Sequence, residues 1–310
     1  MVLMLSSPRC LMLLLALVAS SSVGCGSATQ AREGVLRIAA SFYPLEWMAQ
    51  QVGGDRVAVS SLTEPGAEPH DLELTASDVA ELEKADVVLY LGGFQPALDD
   101  ALEQVAEGVR FDVAGPARLE PTSSSIIAGK RDAEGAGTVD PHFWLDPVRL
   151  AAVGDAFAEH LAAIDGDGPG SFTANAQKFG RVLHGLDRTI AAGLASCRNS
   201  NLVTSHNAFG YLARRYGLKQ VGITGLSPED EPTPGDLASV ADFVEDNQVA
   251  TIYFETLAPS AVADAVARET GAQTAVLDPI EGLDDGSAGR DYIGIMRANL
   301  AALERGQPCP

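Results

Sequence analysis

Basic residues are scarce in this chain. Its 310 residues include 21 Lys and Arg against 42 Asp and Glu, a formal net charge of -21. Such a balance argues against nucleic acid or a bare anionic bilayer as the main partner. It favours the approach of cations, although acidic solubility explains the surface as simply. Long apolar runs are missing, and the one near the start, residues 10–19, is too short for a confident membrane span. No low-complexity segment, residue-level internal repeat or His-Glu-x-x-His pair occurs. Only 4 cysteines are present.

Residues 1–24 stand apart. Arg9 is their one charge, followed by the apolar run and the small residues Ser20, Ser21, Ser22, Val23 and Gly24. That order is an export signal and is excluded from fold reasoning. Cys25, directly after Val23-Gly24, resembles the lipidated N-terminus of a bacterial lipoprotein, with residues 25–34 as a lipidated tether. Ser22 departs from that pattern, which usually has an aliphatic residue there, and plain periplasmic or secreted release is the alternative. Export leaves Cys197 and Cys309 as an even pair in an oxidising compartment, where a bridge is expected. It would close a loop of about 110 residues, worth about 4 to 5 kcal/mol on chain-entropy grounds. Two unpaired buried thiols are the alternative.

The chain is 46% hydrophobic and long enough for two ordinary domains, each with its own core. β-rich runs at 35–40, 56–62, 87–91 and 109–113 alternate with helical runs through Trp47 and over 77–84 and 95–106. Residues 115–139 read as a loop, and helix 147–164 follows. Asp165-Gly166-Asp167-Gly168-Pro169-Gly170 is a breaker. Beyond it, Phe172, Ala176, Phe179, Leu183, Leu186, Ile190 and Leu194 mark one face of a long helix. Gly180, Gly185 and Gly193 are where a kink would fall. Strands at 202–204, 220–223, 250–254 and 274–277 then alternate with helices at 208–216, 236–247, 260–270 and 291–304. This alternation predicts an α/β chain: two Rossmann-like lobes with largely parallel sheets joined by a long backbone helix. The lobes are expected at 35–165 and 197–310, with the linking helix at 166–196.

The rest of the chain is organised around Asp140-Pro141-His142-Phe143-Trp144-Leu145-Asp146-Pro147. Proline fixes its own φ and restricts the residue before it, so His142 is held in a rigid segment beside the anchor Trp144. Asp146 reads as an N-cap and Pro147 as the first helical residue. Alone, this stretch reads more readily as a plain helix-entry loop whose histidine bonds to a nearby carbonyl. His70 lies in a second Pro- and Gly-rich loop, His206 follows the strand run ending at Thr204, and Asp278 follows the run ending at Leu277. In open α/β sheets, ligands collect outside the carboxyl ends of strands. His160 and His184 lie within helical runs and receive no role. Three imidazoles and a carboxylate suit Zn²⁺, with Mn²⁺ second; Ca²⁺ and Mg²⁺ want mostly oxygen, and the set has no thiolate for Cu(I). The spacing of these positions carries no local signature.

The segments Glu68-Pro69-His70-Asp71-Leu72-Glu73-Leu74, Asp140 through Pro147, and Ser205-His206-Asn207-Ala208-Phe209-Gly210-Tyr211 resemble the three histidine motifs of one family. It is that of the zinc-uptake ABC transporter solute-binding proteins, the ZnuA/TroA-like metal-binding lipoproteins. Ala213 to Leu218, Ser227 to Pro232 and Leu277-Asp278-Pro279 also match, in the family's order. The resemblance implies metal held between the lobes by His70, His142, His206 and Asp278, with Zn²⁺ as the transported ligand. It implies an ABC permease and its ATPase as partners, attachment to the cell membrane through Cys25, and a monomer. Histidine at the third position resembles the zinc members, since manganese members typically carry Glu there. The Cys197–Cys309 pairing also resembles a disulfide of some zinc members. Loop 115–139 departs from the family, having no histidine where many zinc members are His-rich.

The expected activity is capture without turnover, with affinity falling below about pH 6 as imidazoles protonate. One alternative is a manganese- or iron-binding member of the same family. Another is a surface adhesin. A third is a secreted zinc hydrolase, with an open fourth position and Glu68 or Glu73 as base.

Overall fold

A computed structural model describes residues 34–122, 139–166 and 169–309. The export signal, Cys25, nearly all of the tether and most of loop 115–139 lie outside the described residues. Gly34–Pro310 forms one compact unit.

Its first half runs β1 (Leu36–Ala40), α1 (Tyr43–Gly53), β2 (Val57–Ser61), α2 (Ala76–Leu82), β3 (Val87–Tyr90), α3 (Pro96–Leu102), β4 (Arg110–Asp112) and α4 (Ala114–Ala117). After α5 (Pro147–Ile164) and α6 (Pro169–Leu194), the pattern resumes. It continues with β5 (Asn201–Thr204), α7 (Gly210–Tyr216), β6 (Lys219–Gly222), α8 (Pro234–Asp246), β7 (Thr251–Phe254), α9 (Ala261–Thr270), β8 (Gln273–Val276) and α10 (Tyr292–Gly306). Every strand pairing is parallel, and the orders β2-β1-β3-β4 and β6-β5-β7-β8 have the same topology. In each sheet the strand order reverses once, between β1 and β3 and between β5 and β7. That reversal opens a crevice at the carboxyl ends of the paired strands.

Parallel sheets need both faces covered. Val203, Val221 and Ile252 pack with Val240, Val244 and Val266 on one side of the second sheet. Ala39, Leu62 and Val88 pack with Leu82, Leu98 and Leu102 on one side of the first. A third apolar cluster is continuous between the halves and takes in Leu45, Phe157, Phe179, Leu202 and Leu303.

Two helices frame the site. Asp146 caps α5, accepting from the Val148 N–H at 2.9 Å, and Pro147 takes the first helical position. The 26 residues of α6 run unbroken through Gly180, Gly185 and Gly193, spanning about 39 Å at 1.5 Å per residue. The face read from its spacing is the buried one, from Phe172 to Leu194, and packing along its length keeps the glycines helical. It packs on α1 and α5 of the first half and on α7 and α10 of the second. At Gly154 of α5 a Cβ would lie 2.8 Å from Phe179 Cδ1, so the close approach of α5 to α6 requires glycine there.

The expected disulfide is present, joining Cys197 after α6 to Cys309 after α10 across 112 residues. Helix 208–216 begins two residues late, at Gly210, and Asn207 before it donates its N–H to Gly225 O at 2.8 Å. Helix 95–106 ends at Leu102. Among the described residues, no helix is long and apolar enough to cross a membrane.

Candidate metal centre

The three loop histidines converge on one point. His70 stands on a 3₁₀ turn, Pro69–Asp71, where Glu68 accepts from its N–H at 3.1 Å. His142 precedes a second such turn, Phe143–Leu145. Asp140 Oδ1 accepts from the His142 N–H at 3.0 Å and lies 2.9 Å from its Nδ1. His206 leaves β5 at the strand-order reversal, and Glu255 leaves the adjacent β7. Glu255 Oε1 lies 2.6 Å from His206 Nδ1 and accepts from Ser205 Oγ at 2.5 Å. A carboxylate on Nδ1 fixes the ring and turns the Nε2 lone pair toward a metal.

The fourth member of the cluster is Glu281. Its Oε1 lies 3.1 Å from His142 Nε2, 3.3 Å from His70 Nε2 and 3.6 Å from His206 Nε2. One donor atom from each of the four residues lies within 4.8 Å of the others. His142, His206 and Glu281 are buried, and His70 is largely so.

Asp278, the carboxylate expected from the sequence, is not in this group. Its Oδ1 accepts from the Ile280 N–H at 2.7 Å. Asn299 brackets its backbone, accepting from the Asp278 N–H at 2.9 Å and donating to its carbonyl at 2.7 Å. The turn so formed holds Ile280 at φ +59°, a conformation that a β-branched residue adopts only when its surroundings impose it. Past that turn the chain delivers Glu281 to the histidines. Asp278 therefore shapes the loop, and a residue three positions later supplies the carboxylate.

Electrostatics follow from burial and pairing. Burial opposes charge on His206, but Glu255 and Glu281 outweigh it and raise its pKa to about 10. Burial likewise opposes charge on His142, and Asp140 with Glu281 reverses the balance upward. For His70 burial prevails and the pKa is lowered. Burial would raise Glu281, yet its bonds to the three histidines hold it well below the ordinary carboxylate range. Burial, then the charge of Glu281, pushes Glu68 up to about 8. Burial also raises Asp278 to about 6. Phe94 and Trp144 wall the cluster, with ring centroids 4.7 Å from His70 and 5.3 Å from His142.

Three nitrogens and one oxygen at this separation form a donor set for a borderline divalent cation. Residues 38–306 match the family described as ZnuA, zinc-uptake complex component A periplasmic. The chain belongs to this family. Among ZnuA-family relatives, the zinc-binding lipoprotein AdcA of Streptococcus pneumoniae TIGR4 is 37% identical over 303 residues. That match covers 95% of this chain, which spans only 60% of that relative's length. The laminin-binding protein Lmb of Streptococcus agalactiae, described as a bifunctional protein with adhesin and metal transporting activity, is 32% identical. Its structure superposes with a TM-score of 0.77 over 88% of this chain and 99% of that one. The Zn(II)-bound ZnuA-like domain of S. pneumoniae AdcA is 34% identical, with a TM-score of 0.72 over 88% of this chain and 99% of that one. The fold is therefore that of the metal-binding ABC solute-binding proteins.

The signal for Glu255 was available, since it follows a strand next to the one that delivers His206. Glu281 gave no comparable signal, being one of several acidic residues in the loop after β8 and reached through an isoleucine in a left-handed conformation.

Proposed function

We propose that this chain is an extracytoplasmic zinc-binding protein of an ABC importer. It captures Zn²⁺ with His70, His142, His206 and Glu281 and delivers the ion to a membrane permease coupled to its ATPase. The observation that carries this reading is the convergence of three imidazole Nε2 atoms on one buried carboxylate oxygen. Two of those rings are already oriented by carboxylates of their own. The nitrogen-rich set favours Zn²⁺ over Mn²⁺, which binds the same donors more weakly. Four protein donors close a tetrahedral shell and leave no open position for an activated water, so the reading is capture without turnover. The chain works as a monomer tethered to the cell membrane through lipidated Cys25.

Metal analysis and competitive chelator titration test the site. Wild type is expected to bind one Zn²⁺ tightly, while His142→Ala and Glu281→Ala lose most of that affinity. If both variants bind like wild type, the assignment is wrong. Detergent-phase partition of wild type, lost in Cys25→Ser, tests the anchor.

A further inference from the structure

A cleft of about 440 Å³ is lined by the start of α1, the end of β2 and the loop between β8 and α10. Glu281 lines it, almost wholly buried, with Glu46, Glu64 and Asp291 among the other lining residues. Glu64 and Asp291 are exposed, Glu46 is half-buried, and Arg290 is the one guanidinium among the described residues that line the cleft. Three buried polar atoms of lining residues have no hydrogen-bond partner: the Tyr43 hydroxyl, Ser61 Oγ and Glu281 Oε2. Glu281 thus engages His142 and His70 through Oε1, with His206 Nε2 3.6 Å away, and leaves Oε2 for whatever arrives. Buried polar atoms left unpaired are costly, and a hydrated cation passing through would offer them partners.

We infer that this cleft is the port by which a divalent cation enters and leaves the cluster, with Glu46, Glu64 and Asp291 steering it and Glu281 Oε2 receiving it before the buried His142 and His206. The inference rests on the zinc-binding reading above. His142 and His206 are fully buried and offer no approach of their own, while His70, the partly exposed member, does not line the cleft. A cleft lined mainly by negative charge between low-dielectric walls concentrates cations and raises their association rates.

Stopped-flow mixing of the metal-free chain with Zn²⁺ alone tests it. The triple variant Glu46→Gln, Glu64→Gln, Asp291→Asn keeps an acceptor for Gln50, which donates to Glu46 at 2.9 Å, and for the Gly294 N–H that Asp291 caps at 2.8 Å. It is expected to slow association about tenfold at low salt, a difference that shrinks with added salt, and to leave dissociation unchanged. A control neutralising the exposed Glu103, Glu159 and Asp242 should slow it far less. Ser61→Phe, which narrows the cleft, should slow association and dissociation by a common factor and leave Kd in place. Wild-type association in the triple variant, equal slowing in the control, or a shifted Kd for Ser61→Phe without matched slowing each overturns the port. A wild-type chain that fails to bind Zn²⁺ overturns the zinc-binding reading instead.

Discussion

The indole N–H of Trp144 donates to the Pro279 carbonyl at 2.7 Å, tying the loop that carries His142 to the loop that carries Glu281. The Tyr292 hydroxyl donates to the Trp144 carbonyl at 2.6 Å, so the start of α10 secures the same joint. Trp144→Phe keeps most of the ring but leaves a buried carbonyl unpaired. It is expected to lower stability by about 1 to 3 kcal/mol. Because the joint positions two members of the cluster, zinc affinity should also fall about tenfold. Thermal denaturation and chelator competition read the two effects separately, and an unaltered affinity would reduce Trp144 to a packing role.

Glu281 and Asp278 are separated by one pair of isosteric changes. Glu281→Gln removes the central charge and should weaken zinc binding by about 100-fold or more, beyond the usual effect of losing an outer partner. Asp278→Asn retains the acceptor for the Ile280 N–H and should change affinity by no more than about threefold. It should also stabilise the metal-free chain. Burial raises the Asp278 pKa to about 6, so its ionised form is penalised above that value. The gain should vanish below the unfolded carboxyl pKa of about 3.9. Greater damage from Asp278→Asn than from Glu281→Gln would reverse the assignment.

Protons held by the metal-free cluster set its pH dependence. A histidine whose pKa rises on folding stabilises fully below its unfolded value of about 6.5, and that contribution is lost as pH climbs through the folded value. With His142 raised and His206 raised to about 10, the metal-free chain should lose stability progressively above about pH 6.5. Zinc must displace these protons, so apparent affinity should rise over the same window. This extends well above the limit near pH 6 that free imidazoles suggest. Calorimetry near neutral pH in buffers of different ionisation enthalpy should show release of about one to two protons per Zn²⁺. A buffer-independent enthalpy would contradict the charge state assigned here.

The bridge between Cys197 and Cys309 pins the end of α6 to the chain after α10. Replacing both cysteines with serine should cost about 4 to 5 kcal/mol, a fall in Tm of about 7 to 9 °C for a chain of this size. Tyr292, at the opposite end of α10, carries the contact to Trp144. Zinc affinity below the transition should therefore stay as it was, and a parallel loss of affinity would show that the bridge reaches the cluster.

Much of this architecture is legible in the sequence because it depends on period and punctuation. The spacing from Phe172 to Leu194 gives the buried face of α6, and Asp146-Pro147 gives the start of α5. His206 follows from its place beyond a strand end. Asp278 is marked out by that same rule and by the resemblance of Leu277-Asp278-Pro279, and both locate where a loop begins but not how it turns. The turn depends on Asp278 holding the Ile280 N–H, on Asn299 and on Trp144, contacts made from 2 to 135 residues away. Nothing local in Pro279-Ile280-Glu281 announces a left-handed isoleucine, since that conformation is normally signalled by glycine or asparagine. The helix over 95–106 failed differently, its last residues being taken up by a turn after Leu102 that periodicity does not register.

The unbroken α6, gripped by helices from both halves of the chain, has one more consequence. A rod seated in a continuous apolar core cannot fold like a book spine without tearing that core open. On the zinc-capture reading, arrival of the ion would be registered by side chains and by the short stretch around Ile280 and Glu281. A transporter that accepts full carriers and ignores empty ones would have to feel a change in local relief, not a change in overall silhouette.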